Sequence, residues 1–206
     1  SHGETLGAMI CYFDHPRELD KEAVPLAEAL TNQAAQAVAR VRLEETIRRA
    51  AMHDEVTGLP SRRLVEEDVT RTLLGRGSPL SVIYIDLDGF KNVNDLFGNA
   101  TGDTLLYEVA ACLSHQIAST GTLARIGGDE FAIIQPVGGR PGNVAVTAEK
   151  IIAAFNQTFG PDGHNFDVSL SIGVALFPGD ADDAEKLIKR AMIALRRAQD
   201  DGGGRF

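Results

Sequence analysis

Hydrophobic and polar residues alternate along this chain in patterns that divide it into helices and strands. Ser81 to Ile85 is a short, continuously apolar run, which predicts a strand buried on both faces. Phe166 to Val174 alternates cleanly, which predicts a strand with one polar face. Between them, Leu123, Ile126, Phe131, Ile133 and Ile134 flank Gly127-Gly128-Asp129-Glu130, the pattern of two strands joined by a tight hairpin. Helical spacing is expected over residues 20–52, 99–119, 144–159 and 183–199, with a further helix starting after Thr57-Gly58-Leu59-Pro60-Ser61, where Ser61 is a candidate N-cap. Pro25 is tolerable only because it falls near the start of the first helix. Gly75 to Pro79 and Gly138 to Asn143 are the other breaks. The resulting order, β-α-β-β-α-β-α behind an extra leading helix, is a ferredoxin-like split-βαβ arrangement, an α/β (α+β) fold with a central antiparallel sheet flanked by helices.

Two segments stand outside that pattern. Ala8 to Phe13 is apolar and reads as one strand without partners, within residues 1–19. In the long helix, Leu30, Ala34, Ala37 and Val41 recur in a 4-3-4 rhythm that presents an apolar seam either to a partner helix or to the protein's own surface.

Composition narrows the chemistry. The 206 residues are 44% hydrophobic and 24% charged, as in an ordinary globular protein, with a net charge of −9. That balance argues against a broad nucleic-acid footprint, and no stretch has the length of a membrane span. Cys11 and Cys112 lie far apart in sequence and form no metal-type spacing, which points to reduced thiols and a cytoplasmic setting.

The acids carry the functional signal. Two carboxylates at the tip of a glycine hairpin repel each other unless a cation sits there. Asp86-Leu87-Asp88, at the end of the buried strand, would bring a second pair beside Asp129 and Glu130. Oxygen ligands of this kind suit a hard cation such as Mg²⁺, which keeps open positions for substrate phosphates. Gly89, Phe90 and Lys91 offer a backbone turn and a point charge for a polyphosphate. Asn94 and Asp103 together could read the donor and acceptor edge of guanine, although the spacing serves equally well for turn residues and a helix-start acid.

Taken in order, these motifs resemble the GGDEF domain of diguanylate cyclases. The resemblance rests on Gly127 to Phe131, on Asp86 to Asp95, on Gly98 and Gly102-Asp103, on Asp54 to Arg63 and on Ser169 to Ala175. It covers about residues 50–206 and implies a cyclase/polymerase-palm-like domain over 53–206, behind a linker helix over 20–52. Residues 3–40 resemble the end of a GAF-type sensor domain and its exit helix, with 1–19 as the sensor remnant. The resemblance further implies that Asp86, the carbonyl of Leu87 and Asp129 bind two Mg²⁺ ions (or Mn²⁺), and that Glu130 helps the metals or acts as the base. Lys91 with the backbone at Gly89 and Phe90 would hold the triphosphate, beside Gly127 and Gly128, while Asn94 and Asp103 read guanine and Asn99 lies near the substrate. The implied reaction joins two GTP into cyclic di-GMP with release of two pyrophosphates, across a homodimer.

This chain departs from the family pattern in three places. Asn99 replaces the usual His, Gln199 replaces a phosphate-binding Lys, and Gly202-Gly203-Gly204 spans the usual Gly-Arg-Asn, with Arg196, Arg197 and Arg205 as the nearby cations. Ala118-Ser119-Thr120-Gly121 stands where an Arg-x-x-Asp product-inhibition motif is usual, so that site is expected to be absent. The alternative reading is therefore a weak or inactive domain that binds GTP and regulates an attached phosphodiesterase domain of the EAL type.

Overall fold

The computed structural model describes residues 7–8, 10, 14–15, 23–76, 78–117, 121–137, 142–155, 158–160 and 165–206. Most of the lone strand expected over residues 8–13, most of the GAF-type remnant, the loop over 138–141 and three residues of the 118–121 window lie outside them. Residues 1–50 and 51–206 form two separate compact units.

Within the first unit the long helix α1 (Ala23–Met52) begins its course. Pro25 sits in its opening turn, where the missing N–H costs nothing. The 4-3-4 seam is exposed along its length, Leu30 at 49% and Val41 at 55%. No helix among the described residues is long and apolar enough to cross a membrane.

The second unit is built on β1 (Leu80–Asp88), a strand buried from end to end except at its two acids. Around it stand β2 (Thr122–Gly127), β3 (Glu130–Pro136) and β6 (Ser169–Phe177), in the order β2-β3-β1-β6 with every pairing antiparallel. Two helices, α3 (Phe90–Phe97) and α4 (Asn99–Ile117), connect β1 to β2, and β3 fills the space between those strands. The chain returns from β3 to β6 through α5 (Gly142–Ala154), and α2 (Arg62–Arg76) and α6 (Ala184–Asp200) complete the helices. This is the split-βαβ antiparallel sheet expected from the hydrophobic pattern.

Alternation along β1 sorts its side chains into two cores. Ile83, Ile85 and Leu87 join Phe131, Ile133 and the α4 residues Leu105, Val109 and Leu113 on one face. Leu80, Val82 and Tyr84 join Val65 and Val69 of α2 with Leu187, Ala191 and Leu195 of α6 on the other. The same two-residue period therefore carries Asp86 and Asp88 to the α2/α6 face.

Three local expectations are corrected. The helix expected over 144–159 ends at Ala154, and Thr158–Phe159 forms β4, paired with β5 (Phe166–Asp167). At the end of α5 the buried Phe155 donates its N–H to the Ile152 carbonyl (3.1 Å), three residues back instead of four, and its ring packs on Phe159 at 5.0 Å. The strand expected over 166–174 is divided between β5 and β6, and on β6 the polar face is exposed only at Ser169, because α6 covers the rest: Ser171 is fully buried, and a side chain at Gly173 would strike the backbone of Ala191 and Leu195. Ser61 stands at the N-cap position of α2, but its hydroxyl donates to the Ala51 carbonyl (3.0 Å) rather than capping the helix.

A Gly173→Ala variant must push α6 off the sheet. We expect a loss of about 3 kcal/mol or more in urea unfolding, whereas the same change at exposed Gly179, where nothing stands closer than 3.8 Å, should cost far less.

Candidate active site

The acidic cluster is assembled by register. Asp86 pairs with Glu130 of β3 on one side and Ser171 of β6 on the other, and Asp88 pairs with Ser169. The hairpin turn Gly128–Asp129 joins β2 to β3, with left-handed φ at Gly128 (56°) and a register shift between Arg125 and Gly127. The Leu87 N–H donates to the Asp129 carbonyl at 3.3 Å, which ties the turn to the end of β1. The Leu87 side chain is buried in the core, so only its backbone faces this chemistry.

Burial, followed by the neighbouring charges of Asp129, Glu130 and Asp88, pushes the Asp86 carboxyl up to about 7, against the opposing pull of a hydrogen bond from Gln199. That bond, Gln199 Nε2 to Asp86 Oδ1 at 2.8 Å, was not legible in the sequence, where Gln199 registered only as a missing phosphate contact. Asp88 is committed elsewhere. It accepts from Ser171 Oγ (2.7 Å), Ser169 Oγ (3.0 Å) and the Gly204 N–H (3.2 Å), so it latches the chain after α6 onto β1 and β6. The sequence carried a clue to this latch, since Ser169 and Ser171 are two residues apart on a strand and share a face.

A cleft of about 340 Å³ opens beside these acids, lined by Asp86, Leu87, Asp88, Asp129 and Gln199 and by the chain from Gly89 to Lys91. Gly89 has a left-handed backbone (φ 78°) and turns the chain into α3, so Phe90 and Lys91 occupy the first helical turn. Unsatisfied N–H groups of a helix start favour anions. Lys91 is exposed and has no ion-pair partner among the described residues.

The remaining candidates stand apart from the cleft lining. Asn94 lies on α3, not in a turn, and its Oδ1 is buried without a hydrogen-bond partner against α4 at Gly102, in space that any side chain at 102 would fill. Asp103 and Asn99 are exposed on α4, and Gly127 and Gly128 are exposed at the hairpin. Glu130 is half-buried and accepts a hydrogen bond from Tyr84 Oη at 3.1 Å.

Arg125 is a further residue whose role the sequence did not disclose. Its guanidinium binds both Asp54 oxygens (2.9 and 3.0 Å) and the Gly128 carbonyl (2.7 Å from Nη2), and the side chain is only 9% exposed. Burial alone would raise the Asp54 carboxyl, but the hydrogen bonds from Arg125 and Thr57 outweigh it and hold the group below the usual carboxylate range. This bridge fixes the hairpin tip to the Asp54–Leu59 turn.

The acidic side chains here offer only oxygen donors, and the crowding at Asp86 is the repulsion a divalent cation would relieve. Among the described residues no three acidic, histidine or cysteine side chains gather into a ligand set. Magnesium held through substrate phosphates requires only one or two carboxylates, so the donor set fits such an ion.

A family model described as diguanylate cyclase, GGDEF domain, matches residues 51–205. The chain belongs to the GGDEF family. Among curated relatives, the bifunctional diguanylate cyclase/cyclic di-GMP phosphodiesterase MucR of Pseudomonas aeruginosa is 35% identical over 178 residues, 85% of this chain but only 26% of MucR. The chain therefore spans about a quarter of that relative's length. The GGDEF domain of TpbB from the same organism superposes with a TM-score of 0.69 at 34% identity, covering 74% of this chain and 91% of that one. The coiled coil and GGDEF domain of DgcB from Caulobacter crescentus, solved with c-di-GMP, gives 0.72 at 29% identity over 86% of this GGDEF chain and 96% of the other.

The raised carboxyl of Asp86 has a thermodynamic consequence. A folded-state value near 7, against 3.8 ordinarily, means that the folded metal-free protein holds a proton the unfolded chain releases. That contribution is complete below the ordinary value and is lost as pH rises through about 7. In EDTA, an Asp86→Asn variant should melt close to the parent in acid, gain on it as pH rises towards 7, and keep a constant advantage above that. Equal melting temperatures at every pH would contradict the crowding.

Proposed function

We propose that this domain is a Mg²⁺-dependent diguanylate cyclase that condenses two GTP into cyclic di-GMP and releases two pyrophosphates. The observation that carries the reading is the crowding of Asp86 by Asp129, Glu130 and Asp88 at the mouth of a cleft whose other wall is the start of α3 with Lys91. Asp86, the Leu87 carbonyl and Asp129 would hold the metal, with Glu130 assisting or taking the proton of the ribose hydroxyl. Bound there, divalent ions would neutralise the phosphate charge that develops during transfer. The Phe90 and Lys91 N–H groups and the Lys91 ammonium would hold the triphosphate. The unpartnered Asn94 oxygen is an acceptor that the N1–H and N2–H donors of guanine would satisfy, with Asp103 on the adjoining helix. Each 3′-hydroxyl would attack the α-phosphate of the opposite GTP, so two domains must face each other. The exposed seam of α1 is a suitable surface for a second copy. Upstream, residues 1–19 are read as the end of a GAF-type sensor, in a cytoplasmic protein.

One observation favours a second reading. Gln199 engages Asp86 instead of offering a cation to phosphate. The domain would then bind GTP weakly and regulate an EAL-type phosphodiesterase elsewhere in the same protein, an arrangement in keeping with the bifunctional name of MucR.

Incubation with GTP and Mg²⁺, followed by chromatography, separates the two. Cyclic di-GMP formed by the parent and abolished in Asp129→Ala is the expected outcome. GTP binding without product would favour the regulatory reading. A Gln199→Lys variant should lower the KM for GTP by roughly fivefold, since a charge-assisted hydrogen bond to phosphate exceeds a neutral one. An unchanged KM would mean that Gln199 does not limit substrate binding.

A further inference from the structure

Among the described residues of the α2/α6 core, Tyr84 is the one large side chain with a polar group. Its ring is 1% exposed, lies in the β1 row between Val82 and Asp86, and packs with the apolar residues of α2 and α6. Its hydroxyl donates not to a backbone carbonyl but to Glu130 Oε2, at 3.1 Å. Tyr84 pairs with Ala132 and Asp86 with Glu130, so Tyr84 and Glu130 are diagonal neighbours on one face of the β1–β3 ladder, within reach of a long side chain. Among the described residues, Tyr84 is the only hydrogen-bond donor to the Glu130 side chain.

The geometry has two effects. A glutamate at the start of a hairpin strand has three free torsions, whereas a phenol locked in a core has almost none, so the hydrogen bond transfers the order of the core to the carboxylate. A phenol is also neutral. It fixes the acid without cancelling its charge, as an arginine or lysine would. Arg62, which lies within electrostatic reach of Tyr84 and Glu130, is held by Glu66 at 2.8 Å. One carboxylate oxygen is thus occupied and the other, Oε1, is left to react.

We propose that Tyr84 is a positioning residue for Glu130, holding Oε2 so that Oε1 is presented in a single orientation to the reacting groups. This rests on the reading of Glu130 as a carboxylate of the reaction.

Tyr84→Phe keeps the ring and removes only the hydroxyl. With GTP and Mg²⁺ we expect kcat to fall roughly tenfold, the KM for GTP to stay within about twofold, and no further loss when the change is added to Glu130→Gln. The chain has three tyrosines and no tryptophan, so the near-UV tyrosine band reports the contact without metal or nucleotide. Glu130→Gln should shift that band in the parent and leave it unshifted in a Tyr84→Phe background. Unchanged kcat in Tyr84→Phe, or a tyrosine band indifferent to Glu130→Gln, would overturn the proposal. So would a lowered melting temperature with kcat and KM changed in proportion, since that describes packing alone. If the parent forms no cyclic di-GMP, the proposed reaction falls, and Mn²⁺ affinity in the presence of a non-reacting GTP analogue decides Tyr84 separately. Affinity at least threefold weaker in Tyr84→Phe supports it, and equal or undetectable binding in both proteins overturns it.

Discussion

Everything at this site depends on how carboxylates are kept at the end of a central strand. Asp86 and Asp88 follow a run that is buried on both faces, and the hairpin delivers Asp129 and Glu130 beside them. Charges so placed repel one another and lose solvation. The protein answers with neutral donors: Gln199 for Asp86, the two serines and a backbone N–H for Asp88, Tyr84 for Glu130. None of these donors removes a charge. The acids are oriented without a cation from the protein to neutralise them, and the crowding that pushes the Asp86 carboxyl up to about 7 is the repulsion a divalent ion would relieve.

The same solution divides the four acids by role. Asp88, with three donors, has little capacity left and serves as the anchor for the turn after α6. Among the described residues, Asp86 and Glu130 each accept one side-chain hydrogen bond, at one carboxylate oxygen. Asp129 is supplied by the turn itself, and the turn is held from below by Arg125 and from the side by the Leu87 N–H. Arg125 is the cationic exception, yet its charge is spent on Asp54 and on a carbonyl at the hairpin tip. Among the described residues that line the cleft, Lys91, on the start of α3, is the only cation. A cleft with acids on one wall and a helix N-terminus plus lysine on the other suits a metal–phosphate ligand better than either a bare metal or a bare anion.

Local rules carried the sequence reading a long way. Unbroken apolarity marked β1, glycines marked the hairpin, and the position of Asp86 and Asp88 at the end of β1 put them beside the hairpin acids. The reading of β6 failed because alternation cannot tell a solvated polar face from one covered by a helix, and Gly173 is what allows α6 to cover it. The α5 boundary failed because Thr158–Phe159 pairs with Phe166–Asp167, a strand contact that helical spacing does not register. Gln199 was legible as a substitution in the GGDEF pattern, but not as a hydrogen-bond donor to a residue 113 positions away.

The sequence by itself determined the main strands of the central sheet, the family and the identity of the acids, because short-range periodicity and contiguous motifs encode those directly. Tertiary structure decided which acid is free and which is committed. That outcome is set by donors arriving from other strands and helices: Ser171 from β6, Gln199 from the end of α6, Tyr84 from the core row of β1. Hydrogen bonds depend on distances of about 3 Å, and only the packed sheet and its helices bring residues so far apart in sequence that close.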